Sequence, residues 1–279
     1  MKDMKDILQK TLVTGSGGAL GSYVDFGIKV DRGDFDITDT GKTIEAVKRL
    51  KPLVILHMAA ETDLAKCEKD PAHAFLVNSV GTYNLALAAR VARARMVYIS
   101  TDDVFSFSGV PHSEEETPEP AKVYGHSKYL GELALRGTLD EDSWLIVRTA
   151  WIFGGGKEKD KKFVAKIIGQ LNKDYISVVN DQFGSPTFGA DLVKTLKQLI
   201  KNGDTGLVHV VNDGIASRYD IAAEITALFN SDTRIHQVSG QDLNLPNHSL
   251  SSGGLMSKKI KLRSWQEALA EYVKTEWKK

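Results

Sequence analysis

An α/β fold with a parallel, doubly wound sheet and a smaller C-terminal α/β region is what this sequence predicts, and three observations carry that prediction. Short β-branched apolar runs alternate with stretches of helical spacing along the first half of the chain. The first run enters a glycine cluster, T-G-S-G-G-A-L-G at Thr14 to Gly21. Further on, V-Y-G-H-S-K-Y-L-G-E puts Tyr124 and Lys128 one helical turn apart.

In chain order, Thr11 to Thr14 reads as a buried strand, followed by the glycines and a brief helix. Ile28 to Val30 is a second strand, ending in Asp31-Arg32-Gly33. Ile44, Val47 and Leu50 give Thr40 to Leu50 a helical face, and the apolar run Val54 to Met58 after Pro52 reads as a third strand. Ala-rich Pro71 to Arg95 predicts one long helix with its proline near the start. Met96 to Ser100 and Trp144 to Arg148 are further strands. Between them, Ser106 to Lys122, with three consecutive glutamates and three prolines, is a polar loop of a length that is often functional. Beyond Phe153 the pattern is looser. A helix begins at Phe163, a strand lies near Ile176 to Val179, and Asp191 to Lys201 and Arg218 to Phe229 are helical. Trp265, Leu269, Tyr272 and Val273 form a stripe that reads as core. Alternating strands and helices imply crossover connections on both sheet faces.

The bulk properties narrow the function. The 279 residues can bury a sizeable core. With 36 basic and 36 acidic side chains and a pI near 7.1, the chain carries no electrostatic footprint for nucleic acid or an anionic membrane. Cys67 is the only cysteine, and the histidines lack ligand spacing, so neither a disulfide nor a metal site is expected. No run approaches a membrane span or a signal peptide, and a cytoplasmic protein is the expectation.

Gly15, Gly18 and Gly21 have the spacing of a dinucleotide loop: the first permits a tight turn, the second lets backbone amides approach a pyrophosphate, and the third allows close packing. This unit predicts a Rossmann-like dinucleotide-binding domain over residues 1–150, with later segments free to rejoin it, and a mainly substrate-binding region over residues 151–279. At the end of the second strand Asp31 suits the ribose hydroxyls of NAD, whereas Arg32 suits the 2′-phosphate of NADP, so both cofactors stay open. Asp36 lies where it can reach an adenine or cap the following helix. Tyr124 and Lys128 supply proton chemistry, since a nearby ammonium stabilises a phenolate, and Thr101 at a strand end can bond the same substrate oxygen.

With these residues in place, the chain resembles an extended short-chain dehydrogenase/reductase, and most closely the dTDP-4-dehydrorhamnose reductase family. The matching stretches include D-I-T-D at Asp36 to Asp39, H-M-A-A-E-T at His57 to Thr62, I-S-T-D-D-V-F at Ile99 to Phe105, R-T-A-W-I-F-G at Arg148 to Gly154 and V-N-D-Q-F-G-S-P-T at Val179 to Thr187. The resemblance implies an NAD(P)H-dependent reductase of a 4-keto-6-deoxy nucleotide sugar, with Thr101, Tyr124 and Lys128 catalytic. It also implies that Ala19, Leu20, Ile37, Ala59 and Ala60 join the glycines around the cofactor. Thr62, Asp102, Asp103, Trp151, Gln182 and Thr187 would lie on the substrate side, and a homodimer is implied by analogy.

Two departures keep alternatives open. Asp103 stands where reductases carry tyrosine, giving T-D-D, and the nucleotide-sugar 4,6-dehydratases have T-D-E there. A dehydratase or epimerase using Asp102 and Asp103 as an acid/base pair is therefore one alternative. A non-catalytic NADP-binding regulatory subunit is another. Near the end, Leu245-Pro246-Asn247-His248 replaces the Arg-Pro of relatives, which bears on the sugar nucleotide recognised.

Overall fold

The computed structural model describes residues 4–243 and 253–278, and the Leu245 to His248 segment lies outside them. The chain forms two compact units, and their boundaries interleave instead of falling at one cut near residue 150. Met1–Ser106, Thr117–Arg148 and Val193–Val208 make the first unit. Phe107–Glu116, Thr149–Leu192 and His209–Lys279 make the second. The reason is topological: strand Gly206–His209 returns to the edge of the first sheet beside β5 (Trp144–Thr149).

In the first unit, β1 (Thr11–Thr14), β2 (Ile28–Val30), β3 (Val54–His57) and β4 (Arg95–Thr101) precede β5, and the spatial order is β2-β1-β3-β4-β5 followed by Gly206–His209. The pairs β1–β2, β1–β3 and β3–β4 are parallel, and Thr14 lies opposite His57, which lies opposite Tyr98. Chain direction switches between β1 and β3, the place where ligands bind in open α/β sheets. Leu12, Val13, Ile55, Leu56, Met96, Val97 and Ile146 are fully buried, as expected for strands covered by helices on both faces.

Helix Thr40–Leu50 has the predicted bounds. Its N-cap is Asp39, whose carboxylate accepts from the Lys42 amide, so Asp36 is not the cap. The long helix predicted over Pro71 to Arg95 is interrupted and ends earlier. It runs as Pro71–Phe75, a widened π turn Leu76–Val80 and Gly81–Ala92, and Arg93, at φ 55°, turns the chain into β4. Asn78, fully buried, sits in the π turn, a feature that often marks functional sites. Behind the glycine cluster only a single 3-10 turn forms, Leu20–Tyr23.

The second unit is built from two-stranded pairs. Tyr175–Val179 runs parallel to Arg234–Val238, Ile152–Phe153 parallel to Thr187–Phe188, and Phe183–Gly184 antiparallel to Ala216–Ser217. Helix Arg218–Phe229 opens with a capping box between Ser217 and Asp220. The C-terminal stripe is core as predicted: Trp265, Leu269, Tyr272 and Val273 are buried, and the Phe153, Phe188 and Tyr272 rings pack with centroids 5.5 Å apart. Residues Phe107–Glu116 of the polar loop are ordered here by backbone bonds between His112 and both Gly254 and Met256.

Candidate active site

The glycine loop leaves β1 at the switch point and lies against the segment leaving β3. Gly15 has φ +73°, and a Cβ there would sit 2.6 Å from the Ala59 nitrogen. At Gly21 a Cβ would sit 2.3 Å from the Ser16 carbonyl oxygen. A Cβ on Gly17 would face open space and one on Gly18 would meet nothing nearer than 3.6 Å, so a ligand can approach the backbone of this turn closely, although the Gly18 amide already donates to the Gly15 carbonyl. A dinucleotide's phosphates fit such a cradle. Ala19 and Leu20 are half-buried in it, Ala59 and Ala60 line the facing segment, and Thr62 is exposed. The one-turn helix contributes little dipole, so the loop amides would do the anion binding.

At the end of β2 the two candidate cofactor readers differ in freedom. Asp31 is folded onto its own turn, accepting from the Gly33 amide at 2.7 Å. Arg32 is 76% exposed and touches Asp36 at 3.3 Å. The other Asp36 oxygen accepts from the Thr38 amide and hydroxyl, which hold its carboxyl below the usual range. Ile37 is anchored next to it, its carbonyl accepting from Asn84 and its side chain against Gly81.

Thr101 ends β4, buried, and its hydroxyl accepts from the Asp103 amide and donates to Asp102, near enough to Tyr124 to act on its hydroxyl. Tyr124 opens helix Val123–Thr138, whose first amide donates to Glu68. The helix lies unusually close to its support. A Cβ on Gly125 would meet the Asp103 carbonyl at 1.9 Å, and one on Gly131 would meet the Tyr98 hydroxyl at 2.5 Å. Those two glycines in Y-G-H-S-K-Y-L-G-E therefore fix where Tyr124 and Lys128 stand.

Lys128 is buried. Its ammonium donates to the Ile99 carbonyl at 2.8 Å and lies 4.0 Å from the Tyr98 ring centroid. Burial and the neighbouring Asp103 push the Tyr124 hydroxyl well above its usual range, opposed by the Thr101 hydroxyl. Burial likewise pushes Lys128 down to about 7, with Glu132 pulling the other way.

Asp103, the departure from the reductase pattern, is half-buried and paired with the Lys122 ammonium. One of its carboxylate oxygens is thus engaged by a cation of the same unit.

Several residues of this centre went unremarked or were read as bland in the sequence. His57 bridges Thr14 at 2.8 Å and Thr82 at 3.1 Å and stacks on Tyr98, and burial keeps it neutral. Asn78 ties the Glu61 backbone to Ser127 on the catalytic helix. Glu132 and Arg148 form a fully buried ion pair. Only periodicity within Y-G-H-S-K-Y-L-G-E, which puts Glu132 one turn beyond Lys128, signalled any of these.

In the second unit, Trp151 has φ 37°, a left-handed conformation costly for a bulky residue. The Arg218 guanidinium lies 3.5 Å from its ring centroid, and Gly184 packs so close that a Cβ would come within 2.3 Å of the indole. The Gln182 side-chain nitrogen is buried with no partner among the described residues. Thr187, expected to face substrate, is fully buried and spends its hydroxyl on the Ser185 carbonyl. It shapes the loop rather than presenting a polar group.

The RmlD substrate binding domain family model matches residues 9–277. The chain belongs to that family. It is a member of the dTDP-4-dehydrorhamnose reductase group and of the NAD(P)-dependent short-chain oxidoreductases. The spore coat polysaccharide biosynthesis protein SpsK of Bacillus subtilis is 33% identical, covering 95% of this chain and 97% of its own. The dTDP-4-dehydrorhamnose reductase of Mycobacterium tuberculosis is 34% identical over 94% of this chain and 91% of its own. Among solved structures, the Bacillus anthracis dTDP-4-dehydrorhamnose reductase, crystallised in complex with NADP, matches with TM-score 0.86 at 30% identity over 95% of this chain and 99% of its own. A dTDP-glucose 4,6-dehydratase from Streptomyces venezuelae, at 18% identity and TM-score 0.76, shares the fold alone. This RmlD-family member thus has the predicted α/β class. Its strand order, 2-1-3-4-5, is one that the sequence did not specify.

Proposed function

We propose that this protein reduces the carbonyl of a 4-keto-6-deoxy nucleotide sugar at the expense of NADPH or NADH. The observation that carries the reading is Tyr124 and buried Lys128 one turn apart on one helix, with buried Thr101 at the end of β4 close enough to act on the Tyr124 hydroxyl. The nicotinamide cofactor supplies a hydride when bound. Tyr124, held in its neutral form by burial, donates the proton that completes the alcohol, and Thr101 hydrogen-bonds the same oxygen. Gly15 to Gly21 with Ala59 and Ala60 hold the cofactor, and Lys128 holds its ribose. The exposed Arg32 favours the 2′-phosphate of NADP, because Asp31 is committed to its own turn. Trp151 and Gln182 are the second unit's candidates for contact with the sugar nucleotide, and Asp102 and Thr62 those of the first.

The test combines dTDP-4-dehydrorhamnose with NADPH. One cofactor oxidised per sugar reduced is expected, with Tyr124→Phe slower by roughly a hundredfold or more and cofactor affinity kept. Sugar turnover without net cofactor consumption would support the dehydratase or epimerase instead. Cofactor binding with no turnover across 4-keto nucleotide sugars would support a binding subunit.

A homodimer belongs to the same proposal. Leu76, Val80 and Tyr83, and Leu130 and Leu133 on the catalytic helix, are each more than 40% exposed and suit a second copy. A cytoplasmic setting also fits, since the single thiol, Cys67, is free and buried.

A further inference from the structure

Beneath the Tyr124–Lys128 face lies a second charged cluster that the reaction as proposed does not use. Glu132 is fully buried, one turn beyond Lys128 on the same helix. One carboxylate oxygen accepts from the Ser100 hydroxyl at 2.5 Å and from Arg148 Nε at 2.9 Å, and the other accepts from the second Arg148 arm at 2.7 Å. Arg148 is itself buried, lies 5.1 Å from the Phe105 ring centroid, and leaves one guanidinium nitrogen without a partner among the described residues. Lys128 docks on the carbonyl of Ile99 and Glu132 docks on Ser100, so the two side chains grip consecutive residues of β4 immediately before Thr101.

We propose that Glu132 is a positioning residue whose buried carboxylate, fixed by Arg148 and Ser100 one helical turn beyond Lys128, governs the charge that Lys128 carries beneath Tyr124. The charge balance points this way. Two buried cations face one buried anion, and of the two cations only Lys128 can give up its proton. Around Lys128 stand His57 on β3, kept neutral, Tyr98 on β4, held protonated by burial, and Tyr124 on its own helix, while Asp102 and Asp103 in the turn after β4 act on Tyr124 and Asp103 is paired with Lys122. His57 and the two tyrosines bring no negative charge, and Glu132 is the group that favours the ammonium. A purely structural ion pair would leave the protonation of Lys128 untouched.

The importance of Glu132 for turnover rests on the reductase reading, but its effect on Lys128 does not, so two readouts separate them. The first is the pH dependence of unfolding of the cofactor-free protein, which follows Lys128 without any substrate. The second is the pH profile of kcat/KM with NADPH and the nucleotide sugar. Glu132→Gln should move the Lys128 limb of both profiles towards acid by about one pH unit, a roughly tenfold change in the protonated fraction. Arg148→Met, which removes the cation paired with the carboxylate, should move the limb towards alkali, and Ser100→Ala should move it the same way by less. Loss of packing cannot produce shifts of opposite sign, and if Glu132→Gln does not fold, the other two variants still carry the test. Unshifted unfolding limbs in the folded variants would overturn the proposal. Shifted unfolding limbs with an unshifted or absent kinetic limb would keep the electrostatic link and refute its role in turnover.

Discussion

Replacing Lys128 with methionine should stabilise the cofactor-free protein at neutral pH while abolishing its proposed chemistry. The physical source is desolvation: the Lys128 ammonium is 3% exposed, and burial brings its pKa from the ordinary 10.5 down to about 7. A difference of about 3.5 pH units, at about 1.4 kcal/mol each, makes the buried proton cost on the order of 5 kcal/mol when both states are protonated. The sign is that of a base with a depressed folded pKa. Below pH 7 folded and unfolded chains both hold the proton and the full penalty applies. Between about 7 and 10.5 the unfolded chain still holds it and the folded chain does not, so stability rises with pH by up to about 1.4 kcal/mol per unit. Urea titrations of cofactor-free wild type and Lys128→Met at pH 7, 8 and 9 measure this. The advantage of the variant should shrink by about 2 kcal/mol from pH 7 to pH 9. Cys67, raised to about 11, and the two buried tyrosines oppose the trend at higher pH, but they are common to both proteins and cancel in the difference. A constant difference over that range would refute the desolvation argument.

Gly21→Ala should abolish cofactor binding in a fluorescence titration with NADPH, since its methyl would lie 2.3 Å from the Ser16 carbonyl and force the loop open. Arg32→Ala should weaken NADPH by roughly 1–2 kcal/mol while leaving NADH within twofold, measured as paired dissociation constants; equal losses would place the 2′-phosphate elsewhere. Asp103→Asn breaks the pair with Lys122 but should keep the reductase turnover within about tenfold, whereas a dehydratase route would lose more than a hundredfold in steady-state assays.

The sequence by itself determined the layers and the chemistry. Helices Thr40–Leu50 and Arg218–Phe229 have the bounds that their spacing predicts, because their caps and turn residues are local. The glycine loop, Tyr124, Lys128 and Thr101 were legible for the same reason: each depends on short-range spacing. What tertiary structure decided lies where residues far apart in the chain meet in low dielectric. Lys128 was legible as the neighbour of Tyr124, but its bond to the Ile99 carbonyl and its place over the Tyr98 ring arise only when β4 and the helix pack. Asp103 was ambiguous until Lys122, 19 residues later, closed on it. Thr187 has the polarity of a substrate contact but is turned inward by its strand pairing. Asn78, His57 and the Glu132–Arg148 pair carry no local pattern, because a buried polar residue is distinguished only by the partner that repays its desolvation, and that partner is chosen by the fold.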